Sequence, residues 1–481
     1  MLSQTRAPLV SALQACARRR QAAFYTPGHK GGQGISTLHR AAFGADIFRL
    51  DLPELPELDD LFAPESVILA AQELAAEAFG AERTWFLING STCGVEAALL
   101  ATCGPGDRVV VPRNALQSVL SGLVLTGAMP VWVAPAYDPD WQMALGVTVD
   151  AIAAALHQHA DVKAVVVVSP TYEGVCSDIA AIADVVHGYG IPLIVDAAHG
   201  PHLAFHPELP PSALSGGADI VIHSAHKVLA AFTQAALFHV QGERCDLNRL
   251  TQALRMTQSS SPSYLLLGSL DVARHQMATQ GAALMDHTLA LAQSARHQLR
   301  DSSLPVLDVS EGSVFQQDLT RLTVDVAAVG TTGFDADAWL HERGVTAELP
   351  TLRQLTFIIS LGNSAQDIEQ LIQGLRQLPA TGAGYPYGLH TDIPTPGVSP
   401  REAFFAPAVT CAVDRVVGQL SADTVCIYPP GIPNLMPGEP ITAEILKTLQ
   451  AAQAAGAHLS GLADPTLGTL RILRADGRCR A

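Results

Sequence analysis

The sequence predicts an α/β fold built mainly from parallel strand–helix–strand units. The first indication is an alternation of short apolar runs with longer, often alanine-rich segments that have helical patterns. The second is that small and polar residues follow several apolar runs, as in open α/β sheets, where ligands bind beyond the carboxyl ends of the strands. The chain has 481 residues, which suffices to bury a large core and suggests roughly two to four domains.

Predicted strands and helices alternate from residue 66 to residue 222. The predicted strands are short and mostly apolar: residues 85–88, 108–112, 130–134, 164–169, 191–196 and 218–222. The predicted helices are longer: residues 66–80, 114–127, 149–160 and 178–190. Because a strand, a helix and a second strand form the repeating unit of a parallel sheet, these segments predict one large domain.

The pattern changes after residues 264–299, which predict one or more long helices. Residues 321–326 and 355–360 alternate apolar and polar side chains, as half-exposed strands do, and predict a second domain. The segment between residues 378 and 400 is rich in glycine, proline, threonine and tyrosine, and predicts a connector to a third unit. The predicted divisions are an N-terminal segment, a large domain, a small α+β domain and a C-terminal α/β unit: residues 1–60, 61–300, 301–380 and 399–481.

Composition disfavours several classes of partner. The net charge is −16, from 29 Lys and Arg against 45 Asp and Glu residues, which disfavours nucleic acid and anionic membranes but would not repel a cationic small molecule. No apolar run reaches the roughly 18 residues needed to span a bilayer, and the N-terminus lacks the apolar core of a secretory signal. The eight cysteines include no Cys-x-x-Cys pair, which favours reduced thiols and a cytoplasmic location.

Three predicted strand ends carry residues of complementary chemistry. Lys227 ends the segment Ser-Ala-His-Lys after the strand at 218–222, and Asp196 ends the strand at 191–196. The segment Asn-Gly-Ser-Thr at residues 89–92 follows a third strand and precedes a helix. Pyridoxal phosphate (PLP) requires an amine for covalent attachment, a carboxylate for its pyridine nitrogen, and small donors for its phosphate. Each feature alone is more often a surface loop or a helix cap, but their joint occurrence predicts a PLP site.

Further motifs extend almost from end to end of the chain: residues 26–32, 58–61, 89–92, 169–172, 196–200, 224–227, 233–234, 260–264, 428–433 and 437–439. With these motifs the chain resembles the short bacterial Orn/Lys/Arg decarboxylases. The resemblance implies a large domain of PLP-dependent fold type I, which is similar to aspartate aminotransferase, together with a smaller α+β domain and a C-terminal α/β unit. It also implies release of CO2 from lysine, ornithine or arginine.

The resemblance implies a role for each residue of the cofactor site. Lys227 would bind PLP covalently, and Asp196 would pair with the pyridine nitrogen. The phosphate would be bound by Ser91, Thr92 and Ser224.

The resemblance also implies roles around the cofactor ring and the substrate. Ala198 would pack against one face of the ring, and Leu116 stands where the family normally has a histidine that stacks on it. His199 would lie near the phenolic oxygen or the substrate, and His226 near the phosphate or the substrate carboxylate. Either Lys227 or His226 would return a proton to Cα, so Lys227, His226, Asp196 and His199 form the predicted catalytic set.

Two further features concern the substrate and the assembly. Glu439 matches the family glutamate that receives the distal amine of the substrate, and His29 is a second predicted substrate-binding residue. The family forms dimers, so we expect a homodimer or a higher homo-oligomer. Thr233 would approach the neighbouring subunit's site, and the N-terminal segment would lie near the interface.

Two alternative hypotheses stay open from the residues. Leu116, Ala197 and Phe62 replace polar residues of the family, which is compatible with a catalytically altered or inactive PLP-binding paralogue. The spacing of His199, His202 and His206 would suit a metal-dependent hydrolase, but two prolines interrupt the segment, and the prediction is therefore that no metal is bound.

Overall fold

The computed structural model describes residues 2–19, 21–300, 302–309, 313–380, 382, 395–428 and 431–474. They form two compact units, and the chain passes between them several times. The first unit contains residues 1–101 and 194–286, and the second contains residues 102–193 and 287–481. The divisions predicted at residues 60, 300 and 399 remain predictions, and most of the predicted connector lies outside the described residues.

The described residues form helices and strands in mixed order along the chain. The helices are α1 (Pro8–Ala17), α2 (Thr37–Phe43), α3 (Asp46–Leu50), α4 (Val67–Phe79), α5 (Gly90–Thr102), α6 (Gln117–Thr126), α7 (Val149–Gln158), α8 (Ile179–Gly188), α9 (Ala225–Val228), α10 (Leu247–Thr257), α11 (Tyr264–Arg300), α12 (Gly333–His341), α13 (Ala365–Arg376), α14 (Pro400–Phe405) and α15 (Ala443–Ala454). The strands are β1 (Arg83–Leu87), β2 (Arg108–Pro112), β3 (Met129–Val133), β4 (Tyr137–Asp138), β5 (Met143–Ala144), β6 (Val162–Val168), β7 (Val175–Cys176), β8 (Leu193–Asp196), β9 (Ile220–His223), β10 (Ala236–Val240), β11 (Gln316–Gln317), β12 (Arg321–Asp325), β13 (Leu349–Pro350), β14 (Gln354–Ile358), β15 (Ala408–Ala412), β16 (Val425–Tyr428), β17 (Ile432–Leu435), β18 (His458–Ser460) and β19 (Thr469–Leu473).

Strands β8, β9, β10 and β1 are neighbours in that order in the first unit. Strand β8 is parallel to β9, as the strand–helix–strand pattern predicts. Strand β10, which the sequence did not predict, is antiparallel to both β9 and β1. The prediction of parallel pairing was therefore incomplete, because the connection between β9 and β10 holds only the one-turn helix α9, which is too short for the crossover that a parallel pair needs.

Two kinds of sheet occur in the second unit. Strand β2 is parallel to both β3 and β6, whereas β12, β14 and β13 form a small antiparallel sheet. Residues 321–326 and 355–360 contain the predicted strands, β12 and β14. The prediction that these strands are half-exposed was wrong, because β12 is buried along its whole length and β14 is buried in four of its five residues. Polar side chains of β12 form hydrogen bonds with other side chains. The Thr323 hydroxyl lies 2.9 Å from that of Thr356, and Asp325 accepts from Arg353 at 2.8 Å.

A buried ion pair on helix α11 binds the N-terminal residues within the first unit. Arg274 Nη2 donates to Asp271 Oδ1 at 2.6 Å and to the Arg6 carbonyl at 2.7 Å. The second oxygen of Asp271 accepts from the Leu9 and Val10 N–H groups at 3.0 and 3.3 Å. These N–H groups lie in the first turn of α1 and have no partner inside that helix. The pair therefore caps α1 from a distant part of the sequence.

Two histidines are buried side by side on strands β9 and β10. His223 Nδ1 lies 3.1 Å from His239 Nε2, and His239 Nδ1 lies 2.7 Å from Thr84 Oγ1. Both imidazoles contact the Phe79 ring, with centroids 5.5 and 5.0 Å away. Burial and nearby His202 lower the pKa of His223 to about 3, and burial together with His223 lowers that of His239. Both rings are therefore neutral in the folded protein.

The seven cysteines that the structure describes are all buried, and none forms a disulfide with another. Cys93 lies in the first turn of α5, where a helix N-terminus would lower the pKa of an exposed thiol. Burial instead raises the pKa of Cys93 to about 12, so this thiol is protonated and acts as a packing residue. No helix in the described part of the chain is long and apolar enough to cross a membrane.

Candidate active site

Lys227 and Asp196 lie at the carboxyl ends of the adjacent parallel strands β9 and β8. Lys227 is in the short helix α9, where its Nζ lies 2.9 Å from Nε2 of buried His199. Asp196 is the last residue of β8 and is also buried. Since the two strands run in the same direction, their ends bring an amine, an imidazole and a carboxylate into one cluster, which we call the lysine cluster.

The electrostatics of Asp196 are dominated by burial. Burial raises the pKa of this carboxyl, while the positive charge of Lys227 and the Ala198 N–H, at 3.2 Å from Oδ1, act in the opposite direction. A buried carboxylate without a cationic partner is costly. Asp196 is therefore suited to pair with a protonated nitrogen.

Ser91 and Ser224 form a small hydroxyl cradle in the same unit. Ser224 Oγ donates to Ser91 Oγ at 2.7 Å, and Ser91 lies in the first turn of the 13-residue helix α5. Thr92 lies in the same turn and is exposed. At Gly94 an added Cβ would lie 2.8 Å from Leu87 and 2.9 Å from a second apolar side chain, so glycine lets α5 pack closely on the sheet. Free N–H groups and hydroxyls at this helix start can hold a phosphate.

The remaining predicted residues of the first unit have separate surroundings. His226 is half-buried and its Nδ1 lies 3.1 Å from the Ala235 carbonyl oxygen. Ala198 is buried, and Thr233 is exposed in the loop before β10. His29 Nε2 lies 3.0 Å from Asp51 Oδ2.

Leu116 and Glu439 belong to the second unit. Leu116 is the half-buried residue before helix α6, and its side chain accepts no hydrogen bond from the first turn of that helix. Glu439 is buried, and its Oε2 accepts from Arg113 Nη2 at 3.1 Å and from the Met436 N–H at 2.8 Å. Burial raises the pKa of Glu439, and the charge of Arg113 opposes that effect.

Sequence reasoning missed Arg113. It directly follows strand β2, whose bounds the sequence predicts correctly, so the rule that ligands gather at strand ends could have pointed to it. Its carboxylate partner is 326 positions away, however, and no local pattern connects the two residues.

Two of the three histidines of the metal hypothesis have separate partners. His199 contacts Lys227, and His206 Nε2 lies 2.9 Å from Asp286 Oδ1. Among the described residues, no three His, Cys, Asp or Glu side chains are arranged to hold a metal ion.

Two family models match this chain. The family model of the Orn/Lys/Arg decarboxylase major domain matches residues 7–319, and that of the C-terminal domain matches residues 389–481. The chain belongs to the Orn/Lys/Arg decarboxylase family. This confirms the resemblance seen in the motifs, and the family is one of amino-acid decarboxylases, which are carboxy-lyases.

Relatives match over nearly the full chain. The arginine decarboxylases of Bacillus anthracis and Bacillus subtilis are each 36% identical to it over 484 residues, which covers 98% of this chain and 98% and 99% of theirs. The solved structure of lysine decarboxylase A from Pseudomonas aeruginosa has a TM-score of 0.82 at 24% identity, and covers 97% of this chain and 80% of its own. The alanine–glyoxylate aminotransferase of Nostoc sp. has a TM-score of 0.54 at 16% identity, over 68% of this chain and 89% of its own. The predicted fold, PLP-dependent fold type I, is confirmed.

Proposed function

We propose that this protein is a PLP-dependent decarboxylase that converts a basic L-amino acid to its amine and CO2. The observation that carries the proposal is the lysine cluster, in which the Lys227 amine and the buried Asp196 carboxylate lie at neighbouring strand ends. The hydroxyl cradle of Ser91 and Ser224 belongs to the same compact unit. An amine, a buried anion and a phosphate cradle are the three groups that PLP needs.

Each residue has a defined task in this proposal. PLP, when bound, supplies the electron sink that accepts the electron pair left by CO2. Asp196 holds a proton on the pyridine nitrogen, and the cradle with Thr92 holds the phosphate. Lys227 would bind the cofactor covalently and, once the substrate amine has displaced its own amine, would return a proton to Cα of the substrate.

Three residues around the cluster assist these steps. His199 holds the Lys227 amine at 2.9 Å and can exchange a proton with it. His226 is the alternative proton donor to Cα. Ala198 is small enough to pack under a flat ring.

Glu439 is proposed to receive the distal cation of the substrate, because a buried cation requires a carboxylate partner. Arginine is the first substrate to test, since two relatives that are 36% identical over nearly their whole length are named arginine decarboxylases. We also propose a cytoplasmic homodimer with Thr233 close to the neighbouring site. Size-exclusion chromatography with light scattering tests the dimer, and a fully active monomer would contradict it.

The direct test is product analysis by mass spectrometry. Purified, PLP-loaded protein is incubated with equimolar lysine, ornithine and arginine, beside a Lys227→Ala variant. Lys163→Ala, which removes an exposed lysine on β6, is the matched control. Cadaverine, putrescine or agmatine formed by the wild type and the control, but not by Lys227→Ala, supports the proposal and names the substrate. Wild-type turnover in Lys227→Ala would refute the assignment.

The second candidate is an altered or inactive PLP-binding paralogue. It is favoured by Leu116 and buried Ala197, which cannot supply the polar groups found at those places in the family. Bound PLP without release of any of the three amines would support it.

A further inference from the structure

Arg113 connects the end of strand β2 with a segment near the C-terminus of the second unit. Its Nη1 donates to the Pro433 carbonyl at 2.6 Å, and its Nη2 donates to the Asn434 carbonyl at 3.1 Å and to Glu439 Oε2 at 3.1 Å. The side chains of Arg113 and Glu439 are only 13% and 1% exposed. The guanidinium also lies 5.5 Å from the centroid of the Trp132 ring, as in a cation–π contact. Arg113 therefore fixes both a carboxylate and the strand that leads to it.

The local backbone fixes the same carboxylate from the other side. The Met436 N–H donates to Glu439 Oε2 at 2.8 Å, so this oxygen already has two donors. Gly438 has a φ of +86°, and an added Cβ would lie 2.6 Å from the Val398 carbonyl oxygen, so only glycine fits before Glu439. The other oxygen, Oε1, is buried and has no hydrogen-bond partner among the described residues. One acceptor oxygen is thus held in a defined place and is available to a donor.

The pair also controls the charge of Glu439. Burial favours the neutral acid and raises the pKa of this carboxyl, and the Arg113 charge and the Met436 N–H oppose part of that rise. A neutral carboxylic acid offers little attraction to a cation. Removing a charged partner from a buried pair leaves the other charge uncompensated, so the remaining group tends to become neutral.

We propose that Arg113 is a positioning residue for substrate binding, which holds the Glu439 side chain with Oε1 turned to the distal ammonium or guanidinium group of a basic amino acid. This inference rests on the proposed function, in which Glu439 receives that group. It adds a residue outside the lysine cluster whose effect is on recognition of the substrate rather than on the bond that breaks.

The test compares Arg113→Gln and Arg113→Lys with the wild type and with Arg401→Gln. Arg401 also donates to two backbone carbonyls, those of Val124 and Leu125 at 2.9 Å each, and is the matched control. Steady-state kinetics are measured on the amino acid that the wild type decarboxylates, from pH 6 to pH 8.5. We expect the Arg113→Gln variant to raise KM roughly tenfold or more, and increasingly as the pH falls, because Glu439 then takes up a proton. The kcat and the cofactor absorbance should change little, and Arg113→Lys should restore part of the loss.

Several results would overturn the proposal. They are an unchanged KM, a loss confined to kcat, a KM increase that does not depend on pH, or an equal loss in Arg401→Gln. If the wild type releases no amine, the proposed function fails, and calorimetric titration of agmatine, cadaverine and putrescine into the PLP-loaded proteins tests Arg113 separately. Weaker binding to Arg113→Gln than to the wild type, with a gap that widens at low pH, supports the inference. Equal affinity, or no binding to the wild type, overturns it.

Discussion

Acid should destabilise the folded protein through the buried histidine pair on β9 and β10. His223 and His239 are neutral in the folded state, and the folded-state pKa of His223 is lowered to about 3. In the unfolded chain both would titrate near a pKa of about 6.5. Their folded pKa values lie below the unfolded value, so this stability is complete above about pH 6.5 and is lost as the pH falls toward the folded pKa.

The size of the loss follows from proton linkage. Below about pH 6.5, a histidine that stays neutral in the folded state lowers the free energy of unfolding by about 1.4 kcal/mol for each unit by which the pH falls. Between about pH 7.5 and pH 5 this amounts to about 2 kcal/mol for each ring and about 4 kcal/mol for the pair. Most domains are stable by only about 5 to 15 kcal/mol, so the loss is large.

The assay is urea unfolding between pH 5 and pH 7.5, with the wild type compared to a His223→Leu/His239→Leu double variant. Protein and PLP concentrations are held constant, because ligand binding and association shift apparent stability. Buried acids with raised pKa values, such as Asp196 and Asp271, act in the opposite direction in both proteins and cancel in the comparison. The wild type should lose about 4 kcal/mol more than the double variant on acidification. Equal losses in the two proteins would refute the reasoning.

Three further perturbations test other parts of the structure. Replacing Arg274 with Met leaves Asp271 buried without its charged partner, and should lower the free energy of unfolding by about 3 to 5 kcal/mol in urea titrations, whereas an unchanged midpoint would contradict this. Asp196→Asn should retain PLP absorbance but lower kcat by roughly a hundredfold or more, and near wild-type turnover would count against its role. Gly438→Ala should raise KM in the same direction as Glu439→Gln, because the added Cβ displaces the carboxylate; an unchanged KM would show that the turn can adjust.

Local signals explain the parts of the fold that could be predicted from sequence. Strand β2 has the predicted bounds, and α4 lies between Ser66 and Gly80, the latter with the left-handed φ of +80° that ends many helices. Helix α11 is a single helix of 37 residues although Gly281 interrupts its pattern. An added Cβ at Gly281 would lie 3.2 Å from Phe205 Cβ, so this glycine allows close packing. Sequence alone cannot distinguish such a glycine from a helix breaker.

The candidate site also contains residues that could be predicted from sequence and residues that could not. The rule that ligands bind at strand ends led from sequence to Lys227 and Asp196, and the structure brings Ser91 and Ser224 within 2.7 Å of each other. Their roles toward PLP remain predictions. The Arg113–Glu439 pair could not be predicted, because it depends on the folding of the C-terminal segment against the end of β2.

The burial of the cysteines has a practical consequence for labelling experiments. Maleimides and similar reagents attack thiolates, and burial raises the pKa of Cys245 and Cys426 to about 11 and that of Cys93 to about 12. The seven described thiols should therefore react slowly near neutral pH. With Cys479, which lies outside the described residues, replaced by serine, a single cysteine introduced on the surface would carry a fluorophore or spin label selectively. The native cysteines can stay in place, so distances within the protein become measurable without altering the core.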